Sequence, residues 1–175
     1  MINNFKSWFT ELGGQAISRK NAIALKTGKR PKWTNTVKNR EIKEKFSVDG
    51  RRLEGIKPRS SADRKAREWL YDLIWREFDS ENNFIGVKLV MEIEFSDMKE
   101  NGLVYDFNKL VQSDSEYKIF VFQQQNKEKA DNAFKQFRSR SEFYNHKMKS
   151  QFLLSCWCWD SGTFIFNEFS SQVSA

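Results

Sequence analysis

The sequence predicts a mixed α/β domain in which helices pack on one main sheet, joined to a basic and largely helical N-terminal extension. Three observations predict it. Apolar and polar residues alternate along residues 84–95, as in a strand. Apolar residues recur every three or four positions along residues 127–148, as in an amphipathic helix. The chain also carries 16 Phe, 6 Trp and 4 Tyr, which is enough aromatic surface to build a core.

The extension covers residues 1–60. Helical spacing of apolar residues over 2–12 predicts a short helix that the glycine pair at 13–14 ends. Further helices are predicted over 16–26 and 34–46. Residues 47–61 contain two glycines and a proline and are predicted to be a loop.

The remaining residues, 61–175, are predicted to form the α/β core. Because 175 residues are too few for two large domains, the extension and the core are expected to form one compact domain. The predicted order in the core is helix 62–70, strands 71–78 and 84–95, helix 104–112, strand 117–123, helix 127–148, and a hairpin of strands 152–159 and 163–169.

Charge is distributed unevenly along the chain. Residues 1–67 hold 18 Lys and Arg against 6 Asp and Glu, whereas residues 68–175 hold 12 against 17. A basic first third indicates a polyanionic partner, although a solubilising basic surface would have the same composition. The predicted nucleic-acid-binding residues, in which cations could meet phosphates and a ring could stack on a base, are Lys29, Arg30, Lys32, Trp33, Arg51 and Arg52.

Several classes of protein are excluded by what the sequence lacks. No apolar run approaches the roughly 18 residues of a membrane span, and the first residues do not resemble a signal peptide. We therefore expect a cytoplasmic protein with no membrane partner. Cys156 and Cys158 are expected to be packed core thiols and not zinc ligands, because the single histidine, His146, is expected at the surface.

Three acidic residues stand out because of where they fall. Glu92 and Glu94 share one face of the predicted strand 84–95, and Asp72 lies within an apolar run. Acids in such places must be paired, protonated or bound to metal. Carboxylates from neighbouring strands suit a divalent cation such as Mg²⁺. Alternatively, Glu92 and Glu94 line the solvated face of an edge strand beside Lys88.

Asp72, separated by 19 residues from Glu92-Ile93-Glu94, resembles the motif of the PD-(D/E)XK nuclease superfamily. The resemblance covers roughly residues 62–123 and implies a restriction-endonuclease-like core. It implies Mg²⁺ or Mn²⁺ held by Asp72, Glu92 and Glu94, with Glu68 of the first core helix nearby. The motif lysine is replaced here by Glu94, and Lys109 on the following helix is the candidate substitute for it.

The function that this resemblance implies is metal-dependent hydrolysis of phosphodiester bonds, in DNA in preference to RNA. Asp72 and Glu92 would hold the metal, Glu94 would be a ligand or orient water, and Lys109 would stabilise the phosphate. A homodimer is the arrangement that would cut both strands at once. Two alternatives remain open: a non-catalytic nucleic-acid-binding module with a degenerate nuclease fold, and a protein-interaction α/β domain.

Overall fold

The computed structural model describes residues 1–29, 36–62, 69–96 and 98–173. In these ranges the chain forms four helices and six strands, which are numbered here in chain order. They are α1 (Ile2–Thr27), α2 (Asn39–Gly50), β1 (Ile56–Ser60), β2 (Leu73–Phe78), β3 (Phe84–Glu94), α3 (Glu100–Val111), β4 (Ser115–Gln124), α4 (Lys127–Glu142), β5 (Gln151–Cys158) and β6 (Thr163–Ser170).

The strands form one mixed sheet in the order in which they occur in the chain. β1, β2 and β3 are antiparallel neighbours, β3, β4 and β5 are parallel, and β6 returns antiparallel to β5. Parallel neighbours require crossover connections, which α3 and α4 supply. The prediction of a mixed α/β fold with one main sheet and flanking helices is therefore confirmed.

Aromatic residues fill the core on both faces of the sheet. On one face, α1 and α2 bury Phe5, Phe9 and Phe46 against Trp75 of β2, whose indole Nε1 donates to the carbonyl of Phe46 at 3.1 Å. On the other face, α3 and α4 bury a second cluster around Phe107, Phe120, Phe122 and Phe137. The first 60 residues thus supply α1, α2 and β1 to the same sheet and core as the rest of the chain.

The predicted break at the glycine pair is wrong, because α1 runs through it as one 26-residue helix. A Cβ on Gly13 would lie 3.1 Å from the ring of Trp157, so this glycine allows close packing of the helix on β5 and does not end the helix. The helix ends at Gly28, whose φ of 66° suits only glycine well. Although α1 is long, no helix in the described residues is apolar enough over sufficient length to cross a membrane.

Several boundaries differ from the sequence prediction: α4 ends at residue 142 and not at 148, and α3 begins at residue 100 and not at 104. Residues 56–60, predicted as loop, form edge strand β1, which tolerates Pro58 in a way that a central strand would not. Of the predicted helix 62–70, residues 63–68 lie outside the described part, and residues 69–71 form a tight turn around Leu70, whose φ is 69°. Helix α2 begins at residue 39, and position 34, where the sequence predicted its start, lies outside the described residues.

Replacing Gly55 with alanine should destabilise the fold strongly. Its φ is 71°, and a Cβ there would lie 2.4 Å from the carbonyl oxygen of Phe78. We expect Gly55→Ala to lower the free energy of unfolding by more than about 2 kcal/mol in urea denaturation. Gly14→Ala is the matched control, because a Cβ at Gly14 meets nothing within 4 Å and alanine should stabilise α1 by about 0.5–1 kcal/mol. Equal stabilities for the two variants would contradict this account.

Candidate active site

The antiparallel pairing of β2 and β3 brings the three predicted acids to one end of the sheet. Leu73 lies opposite Met91, so Asp72, just before β2, is beside the last residues of β3. The backbone amide of Ile93 donates a hydrogen bond of 2.8 Å to Asp72 Oδ2, which holds this carboxylate at the strand end. Glu92 and Glu94 then project from the face of β3 that α3 covers, as period-two alternation predicts.

Glu92 is the most deeply buried of these acids, at 4 % exposure. Burial raises its pKa to about 7, although the ammonium of Lys109 acts in the opposite direction. Lys109 Nζ lies 2.7 Å from Glu92 Oε1 as an ion pair. Although the geometry of this contact is not that of an ideal hydrogen bond, Lys109 is the ionic partner of Glu92 Oε1. Another cation could bind this buried oxygen only in competition with Lys109.

Asp72 forms the second ion pair of the site, and its partner was not predicted from the sequence. Lys43 of α2 places its Nζ 2.6 Å from Asp72 Oδ1, with only 8 % of the lysine side chain exposed. The same Nζ donates to Ser61 Oγ at 3.0 Å. A signal for Lys43 does exist in the sequence, because it falls between Ile42 and Phe46 on the apolar side of a predicted helix, where a lysine needs a partner.

Glu94 and Asp106 complete the group of acids. Glu94 Oε1 accepts hydrogen bonds from the amide and the hydroxyl of Ser96, at 2.5 and 2.6 Å. Asp106 lies one turn before Lys109 on α3, 3.7 Å from its Nζ. Burial raises the pKa of Asp106, Lys109 opposes this rise, and the charges of Glu94 and Asp72 add to it. These carboxylates are therefore close enough to repel one another.

We define the acid cluster as Asp72, Glu92, Glu94 and Asp106 with the two lysines that pair with it, Lys43 and Lys109. When fully ionised, these described residues carry four negative and two positive charges. The excess of two negative charges equals the charge of one divalent cation. Burial makes this excess costly unless a cation or protons balance it.

An open cleft borders the acid cluster. One part of about 720 Å³ is lined by Asn39, Glu94, Ser96 and Gln123 together with neighbouring apolar residues. A second part of about 430 Å³ is lined by Asn39, Arg40, Lys43 and Ser61. Asn39 lines both parts, so they lie beside each other at the start of α2, one reaching Lys43 and the other reaching Glu94. Of the acid cluster, Lys43 and Glu94 are the members among the described lining residues.

The donor chemistry of the acid cluster fits a hard divalent cation in part. Carboxylate oxygens are the ligands that Mg²⁺ and Mn²⁺ prefer, and the cluster offers four carboxylates at one sheet end. However, the described residues contain no group of three or more His, Cys, Asp or Glu already arranged around a metal position. The ammonium groups of Lys43 and Lys109 lie against the acids instead, and a metal would have to displace them.

The other predicted site residues lie elsewhere. Glu68, Arg30, Lys32 and Trp33 fall outside the described residues. Lys29 is exposed, directly after the end of α1. Exposed Arg51 and Arg52 follow the C-terminal end of α2, and Arg52 pairs with Asp49 at 2.7 Å. Since α2 has 12 residues, about 18 Å separates these two arginines from the cleft at the other end of the helix.

His146 was predicted to lie at the surface, and this prediction is wrong. It is 3 % exposed, and its Nε2 lies 2.9 Å from the carbonyl oxygen of Ser141. The chain turns back after α4, and His146 forms a bridge with Val173 near the C-terminus, a contact that helical periodicity does not reveal. Cys156 and Cys158 are free, buried thiols, so the prediction of packed core thiols is confirmed.

Comparison with protein-family models, with curated proteins and with solved structures finds no match to this chain. The sheet topology and the acid cluster of the described residues are therefore the features that bear on the class of protein.

The raised pKa of Glu92 predicts that stability falls as pH rises through the acid range. The folded state holds the Glu92 proton from about pH 4.5 to about pH 7, whereas the unfolded state has released it. The free energy of unfolding should therefore decline over this window by about 3 kcal/mol. Urea denaturation in EDTA, at several pH values, measures the decline.

Glu92→Gln should abolish this decline, because glutamine does not ionise. Glu128→Gln, an exposed change in the first turn of α4, is the control and should keep the wild-type pH dependence. The same slope in wild type and Glu92→Gln would show that Glu92 is not the group responsible.

Proposed function

We propose that the protein is a metal-dependent nuclease of the PD-(D/E)XK type that hydrolyses phosphodiester bonds in DNA. The observation that carries the proposal is the convergence of Asp72, Glu92 and Glu94 at one sheet end, next to an open cleft and with an excess of negative charge. These three residues are those that the sequence resemblance assigns to the metal.

The order of elements around the acid cluster supports the same proposal. Helix α2 is followed by the antiparallel strands β1, β2 and β3, then by helix α3 and parallel strand β4. From β2 onward, this order of strands, helix and strand agrees with the core that the resemblance implies, whose first helix is predicted at residues 62–70, mostly outside the described residues. The two acidic motif positions fall on β3 and directly before β2, which are neighbouring strands.

Each residue of the cluster has a role that its environment suits. Asp72, Glu92 and Glu94 would hold Mg²⁺ or Mn²⁺, which when bound polarises the phosphate and lowers the pKa of a coordinated water. Glu94, half-buried beside the cleft, would either complete the ligands or orient the attacking water. Lys109, 2.7 Å from Glu92, supplies a positive charge that could stabilise the attacked phosphate.

Lys43 offers a second positive charge beside the acids, in a chain that has Glu94 at the position of the motif lysine. It reaches Asp72 from α2, across the sheet end from Lys109 on α3. A phosphate lying over the acids would thus have an ammonium group on either side. We therefore assign to Lys43 and Lys109 together the electrostatic role of the missing motif lysine.

A second candidate function is a non-catalytic nucleic-acid-binding module. The ion pairs favour it, because Lys43 and Lys109 already neutralise Asp72 and Glu92 without a metal. In that case the cluster would be a structural remnant of a nuclease site. Cleavage assays with divalent metal separate the two candidates.

Replacing Asp72 should abolish cleavage. We expect wild type to cleave plasmid DNA with Mg²⁺ or Mn²⁺ and not with EDTA, and Asp72→Asn to be at least about 100-fold slower. Mg²⁺ should also raise the melting temperature of wild type but not that of Asp72→Asn. Asp131→Asn on α4, which removes an exposed ion pair with Lys127, is the control and should keep full activity. DNA binding without any cleavage would favour the non-catalytic module.

Glu94→Lys tests whether the site is active or degenerate. In an active enzyme the change removes a ligand or a water-orienting group, so cleavage should fall by about 100-fold. In a degenerate site it restores the usual motif, and weak metal-dependent cleavage should appear. Glu94 is half-buried at the strand end beside the cleft, so we expect the variant to fold, as circular dichroism would show. Cleavage and metal response identical to wild type would remove Glu94 from the site.

A further inference from the structure

Part of the sheet face that carries α3 and α4 extends beyond these helices, toward edge strand β1. On this side Lys57 of β1 lies opposite Arg76 of β2, and Arg59 lies opposite Ile74. Ile74 belongs to the core cluster beneath α3, so Arg59, which lies opposite it, is on the face of the sheet that α3 covers. At the hairpin that joins β2 and β3, Phe78 pairs with Phe84.

Aromatic rings form a continuous row on this part of the sheet, in which Phe78 is half-buried and the other two rings are exposed. The ring centroids of Phe78 and Phe84 lie 5.7 Å apart, and those of Phe84 and Trp69 lie 6.1 Å apart. Phe84 is 50 % exposed and Trp69 is 41 % exposed. Single exposed apolar side chains are ordinary, but a contiguous row of rings indicates a binding surface.

Two basic side chains lie against the Phe78 ring of this row. Lys57 Nζ lies 4.2 Å from the centroid of the Phe78 ring, and the Arg76 guanidinium carbon lies 5.7 Å from it. Burial lowers the pKa of Arg76, and the like charge of nearby Arg59 lowers it further. Positive charges are therefore held close together at these rings, an arrangement that an anionic ligand would relieve.

Two acidic residues near the rings, Glu77 and Asp79, have other partners. Glu77 pairs with Ile56 on the opposite face of β2, and its carboxylate lies 3.9 Å from Lys88. Asp79 accepts hydrogen bonds from the amides of Glu81 and Asn83 and so belongs to the turn. This region of the sheet thus presents rings and positive charge together.

We propose that this surface binds single-stranded nucleic acid, with bases stacked on the rings and phosphates paired with the cations. We define it as the ring–cation face, made of Lys57, Arg59, Trp69, Arg76, Phe78 and Phe84. A sheet surface with aromatic rings between cations is the arrangement by which proteins bind unpaired strands. Duplex bases are already stacked on each other and cannot reach these rings.

The ring–cation face is continuous with the candidate active site along the chain. Trp69 lies three residues before Asp72, and the Tyr71 hydroxyl between them donates to the carbonyl of Lys109 at 3.4 Å. A strand bound on the face would therefore be directed toward the acid cluster. The proposal goes beyond the nuclease assignment and does not depend on it, because binding can be measured without metal or cleavage.

The test is the affinity of a short fluorescent oligothymidine in EDTA, measured by anisotropy. Phe84→Ala should weaken binding by about tenfold, the scale of one lost base–ring stack. Phe84→Leu retains apolar volume without the ring and should weaken binding to a similar extent, which separates lost stacking from unfolding. Phe143→Ala is the matched control, because Phe143 is 88 % exposed directly after α4, on another element. Its affinity should equal that of wild type.

Charge is tested by the salt dependence of the same binding. Lys57→Gln should reduce the slope of log affinity against log salt by about 0.7, the value for one contact with a single strand. Lys135→Gln, an exposed change on α4, should leave the slope unchanged. Comparing oligouridine with oligothymidine identifies the preferred sugar, and tight binding of either one supports the proposal.

Three results would overturn the proposal: no oligothymidine or oligouridine binding by wild type, unchanged affinity of both Phe84 variants, or binding confined to duplex DNA. These results are distinguishable from failure of the nuclease assignment. Oligonucleotide binding that depends on Phe84, without cleavage in Mg²⁺, would support the ring–cation face and reject the enzyme. Metal-dependent cleavage, together with unchanged binding by the Phe84 variants, would support the nuclease assignment and reject the ring–cation face.

Discussion

The buried carboxylate of Glu92 is the constraint on which the arrangement of the site depends. A carboxylate that is 4 % exposed cannot remain ionised without a nearby cation. The crossover connection from β3 to β4 meets this need, because it lays α3 over the end of β3 and places Lys109 2.7 Å from Glu92. The same helix brings Asp106, so one crossover supplies both a positive charge and a further acid.

An apolar residue at position 92 would avoid this electrostatic penalty, because the neighbouring residues of β3 are buried. Val90 and Met91 immediately before Glu92 are fully buried, and Ile93 after it is nearly so. Replacing a buried ion pair with well-packed apolar residues is often neutral or stabilising. A fold that instead gathers Asp72, Glu92, Glu94 and Asp106 around two lysines forgoes that stability, as proteins do at functional sites. This reasoning supports a chemical role for the cluster.

The parts of the structure that sequence predicted well are those set by local periodicity. Alternation along β3 placed Glu92 and Glu94 on one face, and helical spacing predicted α4 from its first residue. The parts it missed depend on residues distant in the chain. The role of Gly13 is set by Trp157 of β5, and the partner of Asp72 is Lys43 of α2. The contact of Gly13 leaves no local pattern, so the glycine pair suggested a helix end. The apolar side of α2 indicates that Lys43 needs a partner, but no local pattern identifies that partner as Asp72.

In the proposed nuclease, three cations would compete for the same buried oxygen of Glu92: a proton, the ammonium of Lys109 and a divalent metal. The proton binds with a pKa of about 7, so at neutral pH the carboxylate is close to half-protonated even beside Lys109. A metal that bound Glu92 would have to displace both the remaining proton and the ammonium that lies 2.7 Å from Oε1. Below pH 7 each further unit of acidity would make the displacement of the proton about tenfold harder. If the proposed metal site exists, Glu92 and Lys109 therefore couple its occupancy to pH through a single carboxylate, which is buried between β3 and α3.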